Sequence, residues 1–264
     1  MELLTCLPVK RERWPEGVWQ LEYRSEVDGK TDWTLVQPRG SDWLVKLHGH
    51  GSSGDQIYTR EDLRKNWLPR FLEVGYSLCC PNLRGNAWMS PAAVADLKSL
   101  LDYLRSEFKA RRFFFYSGSM GGSGNLIYAV VHPEDVSALV ALCPATDLES
   151  YYRWCRQQKN PPVLEEIATA IEVSYGGPPE TNREVYRQHS VWRNANRLTM
   201  PVFLVHGNAD AIIPVAQSRL LAEKLKGKPD FFYLEIPNGH HDSPLELQEP
   251  LFWLEEKRRW LTGD

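Results

Sequence analysis

The chain has 264 residues, enough to bury a large core within one α/β domain. Its formal net charge of -3 offers no electrostatic attraction to nucleic acid or to an anionic membrane, and no apolar run approaches the ~20 residues of a membrane span. Five scattered cysteines, Cys6, Cys79, Cys80, Cys143 and Cys155, have neither metal-ligand nor disulfide spacing, so no metal site and a reducing cytoplasm are expected.

Met1 to Lys10 lacks the charged start, apolar stretch and small-residue cleavage site of a secretory signal. Val18 to Glu26 and Asp32 to Gln37 alternate in β fashion around Asp28-Gly29, the mark of an antiparallel hairpin. Trp14, Trp19, Trp33 and Trp43 cluster here and suit packing of that hairpin onto a main sheet. Trp43 to Leu47 is a short apolar strand that runs into His48-Gly49-His50-Gly51. Thr59 to Leu72 reads as a helix, with Thr59 as cap and Glu61 and Asp62 in the first turn. Tyr76 to Cys80 is the next strand, with Cys79 and Cys80 facing opposite sides. Ser90-Pro91 opens a helix whose Val94, Leu97, Leu100, Leu101, Leu104 and Phe108 keep to one face.

Arg112 to Tyr116 is a buried strand that breaks into Ser117-Gly118-Ser119-Met120-Gly121-Gly122-Ser123-Gly124 before an apolar helical segment, Leu126 to Val131. A strand, a tight turn carrying a Ser and a following helix make a nucleophile elbow, which needs small flanking residues. Ser119 fits best; Ser123 is a rival, but it lies one turn into the helix. Val136 to Leu142, Val202 to Val205 and Phe231 to Ile236 are further strands, Pro214 to Leu225 is a helix stopped by Gly227, and Ser243-Pro244 starts a terminal helical region bent at Pro250. Strands alternating with helices imply a mostly parallel central sheet covered on both faces. Asp147 to Arg197 interrupts the alternation, and residues 148–197 are read as a small helical lid inserted into a single domain spanning 1–264.

Ligands of open α/β sheets bind at the carboxyl ends of strands. Ser119, Asp210 and His240 each follow a predicted strand there. A Ser hydroxyl needs a base, a His titrating near neutrality supplies it, and a buried carboxylate fixes the His tautomer. Gly239 lets the loop fold back toward Ser119, which favours His240 as base, with His241 as rival; Asp242 stands too close in sequence to orient His240. The backbone N–H of Met120 and of His50 are the candidate oxyanion donors, while the His48 ring braces its loop. Trp88, Tyr151, Tyr152 and Trp154 are candidate walls of an apolar substrate site, with lid packing as the other reading.

On these residues the chain resembles the α/β-hydrolases, and from Trp43 onward it is similar to prolyl oligopeptidase-like esterases and peptidases. The matching pieces are His48-Gly49-His50-Gly51, Ser119-Met120-Gly121-Gly122, the Pro201 to Pro214 block with Asp210, Gly176-Gly177-Pro178-Pro179 to Ser190, and Gly239-His240. Ser117 stands where that family has Gly, and His189-Ser190-Val191 where it commonly has Arg-Ser-Pro. The β-propeller of the large peptidases is missing, since some forty residues precede Trp43, and this favours an esterase. The resemblance implies a carboxylic ester hydrolase acting through a Ser-His-Asp triad on a small-molecule ester or short acyl substrate, with no cofactor. An aminopeptidase or amidase is the alternative, for which Glu165-Glu166 would have to bind a free amine. A catalytically silent binding protein on the same fold is the third reading.

Overall fold

The computed structural model describes residues 1–263. Its nine strands are β1 (Glu2–Pro8), β2 (Trp19–Arg24), β3 (Thr31–Gln37), β4 (Asp42–Val45), β5 (Ser77–Pro81), β6 (Arg112–Gly118), β7 (Ala138–Leu142), β8 (Val202–Gly207) and β9 (Phe231–Ile236). They form one sheet in the order β1-β2-β3-β5-β4-β6-β7-β8-β9. β1, β2, β3 and β5 pair antiparallel in turn, and every pairing from β5 through β4 to β9 is parallel. The expected mixed sheet with an N-terminal hairpin is therefore present. β1 adds an edge strand that the sequence reading lacked, because Leu3, Leu4 and Leu7 are exposed and carry no one-sided alternation.

The alternation of β6 puts Phe113 and Phe115 in the core on one face and Phe114 and Tyr116 in the core on the other. Cys79 and Cys80 divide between the two faces in the same way. Both faces are thus apolar, as a parallel sheet sandwiched between helices requires.

The helices are α1 (Gln56–Thr59), α2 (Glu61–Asn66), α3 (Leu68–Val74), α4 (Pro91–Phe108), α5 (Met120–Val131), α6 (Leu148–Gln157), α7 (Val163–Ser174), α8 (Arg183–His189), α9 (Ala216–Lys224) and α10 (Glu249–Thr262). The single helix expected over 59–72 is three short ones. Arg60 takes an extended conformation between α1 and α2, and Pro69, which cannot donate to the preceding turn, starts α3 at its second position. Pro250 likewise sits in the first turn of α10 and does not bend it; Ser243–Glu246 is a separate 3-10 turn.

The crossover that matters lies at β4. It sits between β5 and β6, with Leu44 beside Phe114 and Val45 beside Phe115. The loop after β4 therefore emerges next to the turn after β6, at the switch point where such sheets bind ligands. Between β7 and β8 the chain builds α6, α7 and α8, and the Tyr175 hydroxyl after α7 donates to the carbonyls of Trp88 and Met89 at 3.0 and 3.2 Å. Among the described residues, no helix is long and apolar enough to cross a membrane.

Candidate active site

Ser119 stands at the bend between β6 and α5 with φ 59° and ψ -130°, a conformation that non-glycine residues rarely adopt. The turn is pinned where its N–H donates to Leu142 O on β7 at 2.9 Å. Close approach explains the glycines around it. A Cβ on Gly121 would lie 2.4 Å from Leu47 O, and one on Gly122 would lie 2.8 Å from Leu142 O. Ser117 has a role of its own: it is fully buried, and its hydroxyl accepts the Leu47 N–H at 2.9 Å. That bond ties the loop after β4 to the elbow, which a Gly at 117 could not do. Ser123 is held inside α5, where its hydroxyl accepts the Ala145 N–H and donates to Ser119 O.

Asp210 follows β8 with its carboxylate fully buried. One oxygen accepts the N–H groups of Ile212 and Ile213 at 2.8 and 3.0 Å. The other accepts His241 Nδ1–H at 2.7 Å and has His206 Nε2 at 3.2 Å. His206, itself fully buried, accepts the Ser218 hydroxyl on Nδ1 at 2.7 Å, which leaves Nε2–H aimed at Ile213 O and Asp210. Burial alone would raise the Asp210 carboxyl, but the hydrogen bonds from His206 and His241 outweigh it and hold the group well below the usual carboxylate range.

His241 completes the line. Since Asp210 is an acceptor, Nδ1 of His241 carries the proton, and Nε2 is free to accept the Ser119 hydroxyl at 2.9 Å. The expectation that His240 reaches Ser119 is overturned. The turn after β9 brings Gly239 hard against β8, so that a Cβ on Gly207 would meet Gly239 O at 2.3 Å. His240 then turns outward, exposed, with its N–H on Ser243 Oγ at 2.9 Å, and the next residue points inward. Burial pulls the His241 imidazole down, but the Cys143 sulfur and the Asp210 carboxylate favour its charged form, and its pKa is raised overall. Cys143, buried at the end of β7, lies with its sulfur within 4.8 Å of a His241 ring nitrogen and an Asp210 oxygen.

Of the two expected oxyanion donors, Met120 is the first residue of α5, so its N–H has no partner within the helix. The neighbours of His50 are occupied: Gly49 N–H donates to Gln56 Oε1 at 3.1 Å, and Gly51 N–H to Asn86 Oδ1 at 2.8 Å. The His50 N–H donates to no backbone acceptor among the described residues. The His48 ring braces the loop, with Nδ1 at 2.9 Å from Gly49 O and Nε2 at 2.9 Å from Asn82 O. The His50 ring accepts the Trp88 indole N–H on Nδ1 at 3.3 Å.

Ser119 and His241 open onto a cavity of about 130 Å³, and none of Trp88, Tyr151, Tyr152 or Trp154 lines it. These four candidates are corrected to packing roles. Trp88 is buried beside a cleft of about 20 Å³, room for little more than one water. The Tyr151 hydroxyl donates to Ile212 O, Trp154 stacks on Tyr151, and the Tyr152 hydroxyl donates to Glu172 at 2.6 Å. Glu165 is paired with Arg156. The cavity walls are instead Lys46, Gln56, Arg60, Leu63, Trp67 and Leu245, together with the groups around Ser119. None of these was singled out from the sequence, although Lys46 is a lone charge in the otherwise apolar run Trp43 to Leu47. A larger shallow cleft of about 610 Å³, bounded by Trp192, Lys224 and Asp230, lies at the amino ends of β8 and β9, the rim opposite Ser119.

Known proteins repeat this frame. The BD-FAE family model matches residues 37–225, more than two thirds of the chain. Monoacylglycerol lipase abhd6-A of Xenopus laevis is 22% identical over 237 residues, covering 70% of this chain and 66% of the lipase. The chain thus spans about two thirds of that relative's length. Among solved structures, the Pyrococcus furiosus esterase Pf2001 superposes with a TM-score of 0.64 at 18% identity, over 92% of this chain and 91% of that one. The fluorophosphonate-binding serine hydrolase FphF of Staphylococcus aureus superposes with a TM-score of 0.67 at 14% identity, over 92% and 99%. At such identities the likeness shows the fold, which is that of the α/β-hydrolases.

Proposed function

Since the chain belongs to the BD-FAE family, we propose that it is a serine hydrolase that cleaves carboxylic esters through an acyl-enzyme. The observation that carries this reading is the unbroken hydrogen-bonded line from Ser119 Oγ through His241 to the buried Asp210 carboxylate. A monoacylglycerol lipase and an esterase stand among the proteins the chain is similar to, which supports this reading.

In this reading Ser119 Oγ attacks the acyl carbon while His241 Nε2 takes its proton. The imidazolium so formed is stabilised by Asp210, which stays ionised. The amides of Met120 and His50 receive the charge that develops on the carbonyl oxygen, at the positive end of α5. His241 returns its proton to the departing alcohol, and a water activated by the same ring then releases the acid. Residues 148–197 act as a lid-like insertion that backs the oxyanion loop, because Tyr175 holds the Trp88–Met89 backbone and Trp88 holds the His50 ring. Five free cysteines suit the cytoplasm as its location.

Ser119→Ala tests the proposal. The expected outcome is a fall of ~10⁴-fold or more in turnover of p-nitrophenyl acetate, together with loss of labelling by a fluorophosphonate probe, with the circular dichroism spectrum unchanged. Retained turnover or labelling in that variant removes Ser119 from the role.

A further inference from the structure

The cavity beside Ser119 is bordered by a buried lysine that no carboxylate among the described residues pairs with. Lys46, directly after β4, is 2% exposed and borders the cavity. Its hydrogen-bond partner is the neutral side chain of Gln56. Asp62, the carboxylate whose charge it feels, is held instead by Arg60, with Nε–H at 2.8 Å from one oxygen and the terminal nitrogen at 2.8 Å from the other. Burial accordingly pulls the Lys46 ammonium down to about 7. An ammonium taken out of water without a carboxylate is strongly disfavoured, so an apolar residue would be the expected occupant of this position.

The surroundings of that lysine narrow what it can receive. Arg60 also lines the cavity, but its guanidinium is spent on Asp62 and the exposed Asp242, so Lys46 is the cation of this wall that no carboxylate holds. The rest of the wall is mixed: Leu63, Trp67 and Leu245 are apolar, the Trp67 indole N–H is already spent on Leu245 O, and the one carboxylate at the rim, Asp242, is held by Arg60 at 3.3 Å. Lys46 also retains donors beyond the one given to Gln56, since an ammonium has three. The volume of about 130 Å³ has room for several waters or for a small polar head.

We propose that this cavity is a carboxylate-binding subsite, and that the preferred esters are small ones bearing a free acid group whose charge is received by Lys46. The inference rests on the serine-hydrolase reading and adds the substrate class to it. The acid can belong to the acyl part or to the alcohol part of the ester, and the two are separable by choice of substrate.

The test compares kcat/KM for two matched pairs. Monoethyl succinate against ethyl 4-methylpentanoate places the acid on the acyl side; O-acetylglycolate against isobutyl acetate places it on the alcohol side. The expected result is a preference of ~10-fold or more for the acid in one pair, which Lys46→Met reduces toward one. A ratio that Lys46→Met does not change, or preference for the neutral ester in both pairs, overturns the proposal. Lys46 also steadies the oxyanion loop through Gln56, which accepts the Gly49 N–H as well; a purely structural role would depress both members of a pair and leave their ratio alone. Should Lys46→Met fail to fold, the wild-type ratios and Lys46→Gln, which keeps a donor toward Gln56 but carries no charge, decide. Calorimetric titration of succinate into the wild-type protein reads the subsite without turnover: binding supports it, and no binding at millimolar succinate overturns it. Failure of the hydrolase reading would appear separately, as absence of fluorophosphonate labelling at Ser119.

Discussion

The two flanks of Ser119 are built on opposite plans. On one side, Trp88, Tyr151 and Trp154 pack against each other, and the Trp88 and Tyr151 polar atoms are matched to His50 and Ile212. On the other, Lys46, Gln56 and Arg60 border open volume, and Lys46 lacks a counter-charge. The aromatic flank looks like a binding site in sequence, yet it fills its own space. The polar flank looks like the end of a strand and carries the cavity. The lesson is physical: large rings close gaps, whereas an unpaired buried charge needs something to come in and meet it.

Both flanks depend on the hydrogen-bonded line between them, so its disruption has the largest expected effect. His241→Ala should lower kcat by ~10⁴-fold or more for any ester, on either flank's preferred substrate. His240→Ala should stay within about threefold of the parent, because its ring is exposed and its backbone N–H, not its side chain, makes the Ser243 bond. Steady-state kinetics on the two variants side by side decides the matter, and the reverse ranking would return the base to His240.

That pair also marks how far the sequence was legible. Ser119 and Asp210 could be found because both follow apolar strands at one rim, and the chemistry needs them there. The choice between His240 and His241 turns on Gly239 pressing against Gly207, a backbone contact between the ends of β8 and β9 that residue types alone do not reveal. Ser117 read as a mere departure from Gly; its hydroxyl bond to Leu47 N–H depends on β4 lying beside β6, a crossover that sequence order does not reveal. Lys46 carried a local signal, a charge inside an apolar strand, but its meaning needed the cavity. The short helices around Arg60 and Pro69 were hidden because the apolar spacing continues across both breaks.

The flanks differ next in how their ionisable groups respond to pH. His48 and His50, in the loop between the two flanks, are both pushed down by burial and remain neutral at neutrality. His241 is shifted the other way. Only the neutral imidazole can accept the Ser119 proton, and a raised pKa keeps the ring charged further into the alkaline range. For a neutral ester, kcat/KM should therefore climb about tenfold per pH unit on the acid side and level off at a midpoint above the ordinary histidine value of ~6.5. A midpoint below that value would mean that burial outweighs Cys143 and Asp210 at this ring. For an acid-bearing ester the ratio of its kcat/KM to that of the neutral ester should fall as pH rises through about 7, where Lys46 loses its charge.

The smallest effects should come from the aromatic flank, and they separate its members. Trp88→Phe keeps the packing against Tyr151 but removes the indole N–H that holds the His50 ring. It should lower kcat a few-fold through the oxyanion loop while leaving KM for short esters in place, since Trp88 does not line the cavity. Tyr152→Phe removes a hydroxyl from Glu172, which Arg156 continues to bind at 2.7 Å. The expected cost is about 0.5–1.5 kcal/mol of stability, read by urea denaturation, with kcat/KM unaltered across acyl lengths from acetate to octanoate. If either substitution instead raised KM progressively with chain length, the aromatic cluster would be touching the acyl chain, and the division between a closed flank and an open one would fail.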